Sequence, residues 1–141
     1  MLEKRKLNSV RTWIEISSKA AKKNIGTIKK LIGPKVKLWV VVKSNAYGHG
    51  LVGFAKLSQK LGIDGFCVDS LVEGLRLREE GIKKQILVLG PTMPALISEA
   101  AKHKITLTVS SHGALKEIAK AKYCPEFHIK VDTGMHRQGF Y

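Results

Sequence analysis

A lysine closes an apolar, β-branched run, Leu38-Trp39-Val40-Val41-Val42-Lys43, and a polar stretch follows it, Ser44-Asn45-Ala46-Tyr47-Gly48-His49-Gly50. An amine at the edge of an apolar core is poised to attack carbonyls, the reactivity that Schiff-base chemistry with an aldehyde cofactor requires. Tyr47 and His49 add a phenol and an imidazole nearby, and Gly48 and Gly50 permit close approach of backbone to a ligand. The plainer reading of the same residues is a lysine that snorkels out of a strand end ahead of a glycine turn. Gly48-x-Gly50 is not a dinucleotide fingerprint, which needs a third glycine and another position after the strand.

A second dense cluster, Asp132-Thr133-Gly134-Met135-His136-Arg137, follows the run Phe127-His128-Ile129-Lys130-Val131. Asp-Thr-Gly also occurs in aspartic proteases, but those are all-β proteins with paired catalytic carboxylates, and the elements around this triplet argue against that assignment. A structural turn at Gly134 is the remaining alternative on the residues alone.

The elements that must position both clusters alternate along the chain. A helix is expected from Ser17 or Ser18 to Gly33-Pro34, with Ala21, Ile25, Ile28 and Ile32 facing a core. A strand over 37–43 follows, then a helix from Leu51 to Leu61 closed by Gly62, and a strand at Gly65-Phe66-Cys67-Val68. Ser70 with Glu73 has the form of a capping box opening a helix that ends at Gly81. Strands at 86–89, 106–109 and 127–131 alternate with helices at 92–102 and 111–122. Such continuous apolar runs suit a parallel sheet, and five strands joined by helices every ~20–25 residues mark an α/β fold. An open doubly wound sheet and the first part of a (β/α)8 barrel, which needs about 250 residues, both fit this rhythm. The end at Tyr141, with no helix after the fifth strand, favours the barrel, whose catalytic groups sit at the carboxyl ends of strands.

Val41-Val42-Lys43-Ser44-Asn45-Ala46-Tyr47-Gly48-His49-Gly50 resembles the cofactor-lysine signature of alanine racemases, and the Asp132–Phe140 segment is similar to a second motif of that family. Asp64–Gly74 and Ile86–Gly90 resemble its second and third barrel strands, and Arg11–Ile16 a leading strand over about residues 10–16. The resemblance covers roughly residues 10 to 140 and implies an α/β chain, residues 1–141, forming the first five strand-helix units of a pyridoxal-phosphate-binding (β/α)8 TIM barrel. It implies that Lys43 forms a Schiff base with pyridoxal 5'-phosphate and moves a proton on one face of the substrate. Tyr47 would lie against the cofactor near its phosphate. Arg137 would contact the substrate carboxylate and the cofactor's phenolic oxygen, a task for which a planar guanidinium fork is suited. Lys130 matches a lysine that many members carry carbamylated to orient that arginine. The implied reaction is L- to D-alanine interconversion, an isomerase supplying D-alanine for the cell wall, in a cytoplasmic homodimer. The family's opposite-face tyrosine, remaining barrel strands and C-terminal β domain would lie beyond Tyr141, so the chain is expected to be a fragment, inactive alone. A racemase of another amino acid such as serine, and a non-catalytic pyridoxal-phosphate-binding barrel protein, are the alternatives.

The bulk composition agrees with a globular enzyme piece. At 44% hydrophobic and 26% charged the chain can bury a core, and no apolar run approaches the ~18 residues of a membrane span. The basic N-terminus lacks the apolar stretch of a secretory signal. Cys67 and Cys124 have neither metal-ligand nor disulfide spacing, so no metal is expected. The net charge of +14 would suit a nucleic-acid partner, but Lys19, Lys22, Lys23, Lys29 and Lys30 are dispersed on a helix without interleaved aromatics. Solvated helix surface explains them, and no specific nucleic acid is expected.

Overall fold

The structure, a computed structural model, describes residues 11–141. Helix α1 (Ser18–Ile32) starts where the Ser17 hydroxyl accepts the Ala20 N–H and stops at Gly33, whose φ of 76° only glycine adopts readily. Strand β1 (Trp39–Val41) leads through a short turn to α2 (Leu51–Lys60), and β2 (Gly65–Val68) to α3 (Leu71–Glu79). Strand β3 (Gln85–Val88), a 3-10 turn at Pro94–Leu96, α4 (Ile97–Lys102), β4 (Thr106–Val109), α5 (His112–Lys120) and β5 (Phe127–Ile129) complete the order. The expected third crossover helix, 92–102, is therefore split: Pro94 offers no N–H, and a 3-10 turn precedes a shorter α segment.

The five strands are all parallel and lie in the order β1-β2-β3-β4-β5. That order decides between the two architectures left open by the sequence. A doubly wound sheet reverses its strand order part-way; a sheet that only ever adds the next strand on the same side is singly wound. Right-handed crossovers then put every helix on one face, as in a (β/α)8 barrel, of which this sheet supplies five strands.

Register shows where the core lies. Val40, Phe66 and Ile86 align across the sheet, as do Val68, Val88, Leu107 and Phe127. This face is buried under Ala55, Leu71, Leu77, Ile97, Ala100 and Ile118 from the helices. Each fully buried aliphatic or Phe side chain contributes about 1.5–3 kcal/mol. The opposite face carries Trp39, Gly65 and Gln85, then Val41, Cys67, Leu87 and Thr106. The Trp39 ring lies so close over Gly65 that a Cβ there would meet it at 2.6 Å.

Two expectations change. Of the apolar face expected on α1, only Ile25 is buried, and Ile28 is 42% exposed, because no other described element covers that side of the helix. The leading strand expected over about residues 10–16 falls partly outside the described residues. Over residues 11–16 no strand forms, since a strand needs a neighbouring backbone to pair with and none of the described residues supplies one.

Candidate active site

Lys43 follows β1 at the carboxyl end of the sheet, and the chain then makes a turn that the sequence does not announce. Ser44, Asn45, Ala46 and Tyr47 all have φ between 52° and 56°, one turn of left-handed helix. Left-handed conformation costs an L-residue roughly 1–2 kcal/mol, so four in succession require specific support. Ala46 is buried in the core and its N–H reaches the Val42 carbonyl at 2.8 Å. The Asn45 side chain accepts the Leu51 N–H at 2.9 Å, while its carbonyl accepts from Gly48 and Gly50. Gly48 and Gly50 have φ of 91° and 88° with open space where a Cβ would be. Within the chain their value is therefore conformational. His49 turns back into the protein, its Nδ1 2.9 Å from the Ala46 carbonyl and its ring tilted on Phe54.

The Lys43 side chain is 31% exposed, and its Nζ stands 3.4 Å from a carboxylate oxygen of Asp69, the residue after β2. That is a loose pair, leaving the amine's remaining donors open. Tyr47, the last of these four residues, is 62% exposed, and its hydroxyl has no hydrogen-bond partner among the described residues.

The second cluster is held at the same end of the sheet. After β5, the Phe140 N–H donates to the Lys130 carbonyl and the Asp132 N–H to the Phe140 carbonyl, both at 2.8 Å, closing a loop over 132–139. Inside it the Asp132 carboxylate accepts N–H groups from Gly134 (2.9 Å), His136 (3.1 Å) and Arg137 (3.1 Å). These donors, Gly134 first and His136 next, hold the Asp132 carboxyl below its ordinary range. The Gln138 amide donates to the Leu89 carbonyl at 3.2 Å, so the loop docks on the end of the β3 strand. Arg137 is exposed, and neither its guanidinium nor the Lys130 amine is paired among the described residues. Lys43, Tyr47, Lys130 and Arg137 thus all belong to segments that leave the carboxyl end of one parallel sheet. The structure gives no direct contact between the first pair and the second.

A sequence profile described as "Alanine racemase, N-terminal domain" matches residues 16–141. The chain belongs to the alanine racemase family. It is 45% identical over 130 residues to alanine racemase 1 of Bacillus subtilis, covering 91% of this chain and 33% of that one. To the serine/alanine racemase of Enterococcus gallinarum it is 39% identical, covering 89% of this chain and 18% of the relative. A crystal structure of alanine racemase from Bacillus anthracis with bound L-Ala-P superposes with a TM-score of 0.87 at 38% identity, over 92% of this chain and 34% of that one. The chain spans about a third or less of the length of these relatives.

Within the family the donor set fits pyridoxal phosphate. A partly exposed primary amine stands at a strand end, an unpaired phenol ends the adjoining turn, and an unpaired guanidinium rides on a loop braced by its own carboxylate. Among the described residues there is no group of acidic, His or Cys side chains that could hold a metal. No described helix is long and apolar enough to cross a membrane.

Two acidic residues near Lys43 lie outside the candidate set that the sequence offers. Asp69 lies within the Asp64–Gly74 run, which by itself gives that residue no role. Glu73 had been the second half of a capping box, but only half of that box forms. Ser70 Oγ accepts the Glu73 N–H at 3.4 Å, while the Glu73 carboxylate binds the N–H groups of Asp69 (2.8 Å) and Ser44 (2.7 Å) instead of that of Ser70. The S-x-x-E spacing marks a helix start; only the strand pairing brings Ser44 within reach.

Proposed function

We propose that this chain carries the cofactor-lysine side of an alanine racemase site, serving the interconversion of L- and D-alanine with pyridoxal phosphate on Lys43. The observation that carries the reading is the loosely held Lys43 amine at the end of β1, at the same carboxyl end of the sheet as the Arg137 loop. Bound there, the cofactor supplies an electron sink for the pair left behind when the substrate α-proton departs. Lys43 Nζ takes or returns that proton on one face. Tyr47 would help hold the cofactor at its phosphate end. Arg137 clamps the substrate carboxylate through its planar fork, and Lys130, carbamylated, orients that guanidinium as an anionic partner. The active assembly is a cytoplasmic homodimer, and its product feeds the D-alanine of the cell wall. A racemase for another small amino acid is the second reading, favoured by the similarity to a serine/alanine racemase.

Titration of the chain with pyridoxal phosphate tests the assignment. A visible absorbance band from lysine-bound cofactor is expected in the wild type and its loss in Lys43→Ala. An undiminished band in Lys43→Ala overturns it.

A further inference from the structure

The geometry points to Glu73 as a positioning residue for Lys43: its carboxylate ties together the peptide that follows the lysine and the peptide of Asp69, the lysine's anionic neighbour. Oε1 accepts the Ser44 N–H at 2.7 Å and Oε2 the Asp69 N–H at 2.8 Å. Each oxygen therefore serves one strand end, the first after β1 and the second after β2. Bonds from a backbone N–H to an ionised carboxylate are about twice as strong as neutral ones.

Local helix chemistry does not require this arrangement. At the third position of α3 a glutamate ordinarily reaches back to its own N-cap N–H. Here it passes that group by, and the Ser44 N–H it takes lies 29 positions earlier in the chain. Ser44 is also the first of the four left-handed residues. A turn that departs from the right-handed basin at the residue after the lysine needs its leading N–H anchored, or the strain can relax by unwinding. Unwinding would swing Lys43, and with it the amine that stands 3.4 Å from Asp69. Glu73 touches neither the amine nor the Asp69 carboxylate, so it acts through the backbone.

This inference rests on Lys43 being the cofactor lysine, and its test separates the two. The full chain and its Glu73→Gln, Glu73→Ala and Lys43→Ala variants are incubated with pyridoxal phosphate and reduced with borohydride. Trapping at Lys43 is then measured by peptide mass spectrometry relative to exposed Lys19 in the same sample. Backbone amide exchange is followed alongside, with the Val88 and Val109 amides of the sheet reporting that each variant is folded. The Lys43-to-Lys19 ratio should fall about tenfold in Glu73→Gln, whose amide keeps one acceptor oxygen and so loses one charge-assisted hydrogen bond, and further in Glu73→Ala, which loses both. Exchange at Ser44 and Asp69 should quicken while Val88 and Val109 stay protected. Glu73→Asp, one methylene shorter, should keep at most one of the two bonds lost in Glu73→Ala and give a ratio above that variant's and below wild type. A Glu73→Gln chain with wild-type trapping and wild-type Ser44 exchange overturns the positioning role and leaves the Lys43 assignment standing. Wild-type trapping no greater at Lys43 than at Lys19 overturns the Lys43 assignment, and the positioning role with it, whatever Ser44 exchange shows.

Discussion

Replacing Gly139 with alanine should open the loop that carries Arg137. Gly139 has φ of +145°, a region essentially closed to L-residues, and a Cβ there would stand 2.4 Å from the Asp132 nitrogen and 2.8 Å from the Val131 carbonyl carbon. Both are backbone atoms and cannot rotate away. Reaching ordinary contact requires residue 139 and the Val131-Asp132 peptide to part by roughly 1 Å. The bonds that span this junction, Phe140 N–H to Lys130 carbonyl and Asp132 N–H to Phe140 carbonyl, are each 2.8 Å and do not survive such a shift. Each contributes about 1 kcal/mol net, and the backbone strain adds about 1–3 kcal/mol, so the closed loop should lose about 3–5 kcal/mol. Gly134→Ala is the internal control. Its φ is +124° but nothing lies within 4 Å of the added Cβ, so it bears conformational strain without the collision and should cost about half as much. Amide exchange at Asp132 and Phe140 reads the loop directly, and thermal unfolding reads how much of the loss is global. Gly139→Ala should exchange at least a hundredfold faster at these amides, by the conversion of about 1.4 kcal/mol per decade. Protection and melting temperature equal to wild type, or a larger effect from Gly134→Ala, would refute the reasoning.

Two further outcomes follow from the same physical picture. The Asp132 carboxyl is held low by the Gly134 and His136 N–H groups, so its contribution is present in full above the unfolded carboxylate value of about 3.9 and is lost as pH falls through the lower folded value. Amide shifts of Gly134, His136 and Arg137 should move together in that acid range in the wild type and not in Asp132→Asn. At the opposite end of the sheet, the Arg78 guanidinium donates to the carbonyls of Ile82, Lys84, His103 and Lys104, at 2.7–2.9 Å, bracing the segments that enter β3 and β4. Arg78→Met should destabilise the chain by about 2–4 kcal/mol in denaturant unfolding, since two of these bonds are half-buried and two exposed, and Arg78→Lys should recover only part of that because an ammonium lacks the fork.

Much of the fold was legible because its signals are local. The Ser17 cap, the Gly33 stop and the run Gly65-Phe66-Cys67-Val68 each depend on a few neighbouring residues, and each element formed where its pattern stood. The 92–102 helix misled because Pro94 permits both a helical first turn and a 3-10 turn, a choice of hydrogen-bond register that composition leaves open. Ile28 misled because its spacing states which way a side chain points, not whether anything waits there.

By itself the sequence determined the alternation of strands and helices, the two polar clusters at strand ends and, through their motifs, the membership in the alanine racemase family. The sequential parallel order of the sheet was decided only by the tertiary structure, because hydrophobic period is blind to which strands pair. The left-handed turn at Ser44–Tyr47 was likewise decided there: its residues have no common propensity for positive φ, and the turn persists through long-range bonds. Lys43 was visible in the sequence as a lysine at a strand end. Its neighbours Asp69 and Glu73 were not, since 26 and 29 positions of chain separate Asp69 from Lys43 and Glu73 from Ser44, and only the pairing of β1 with β2 brings them together.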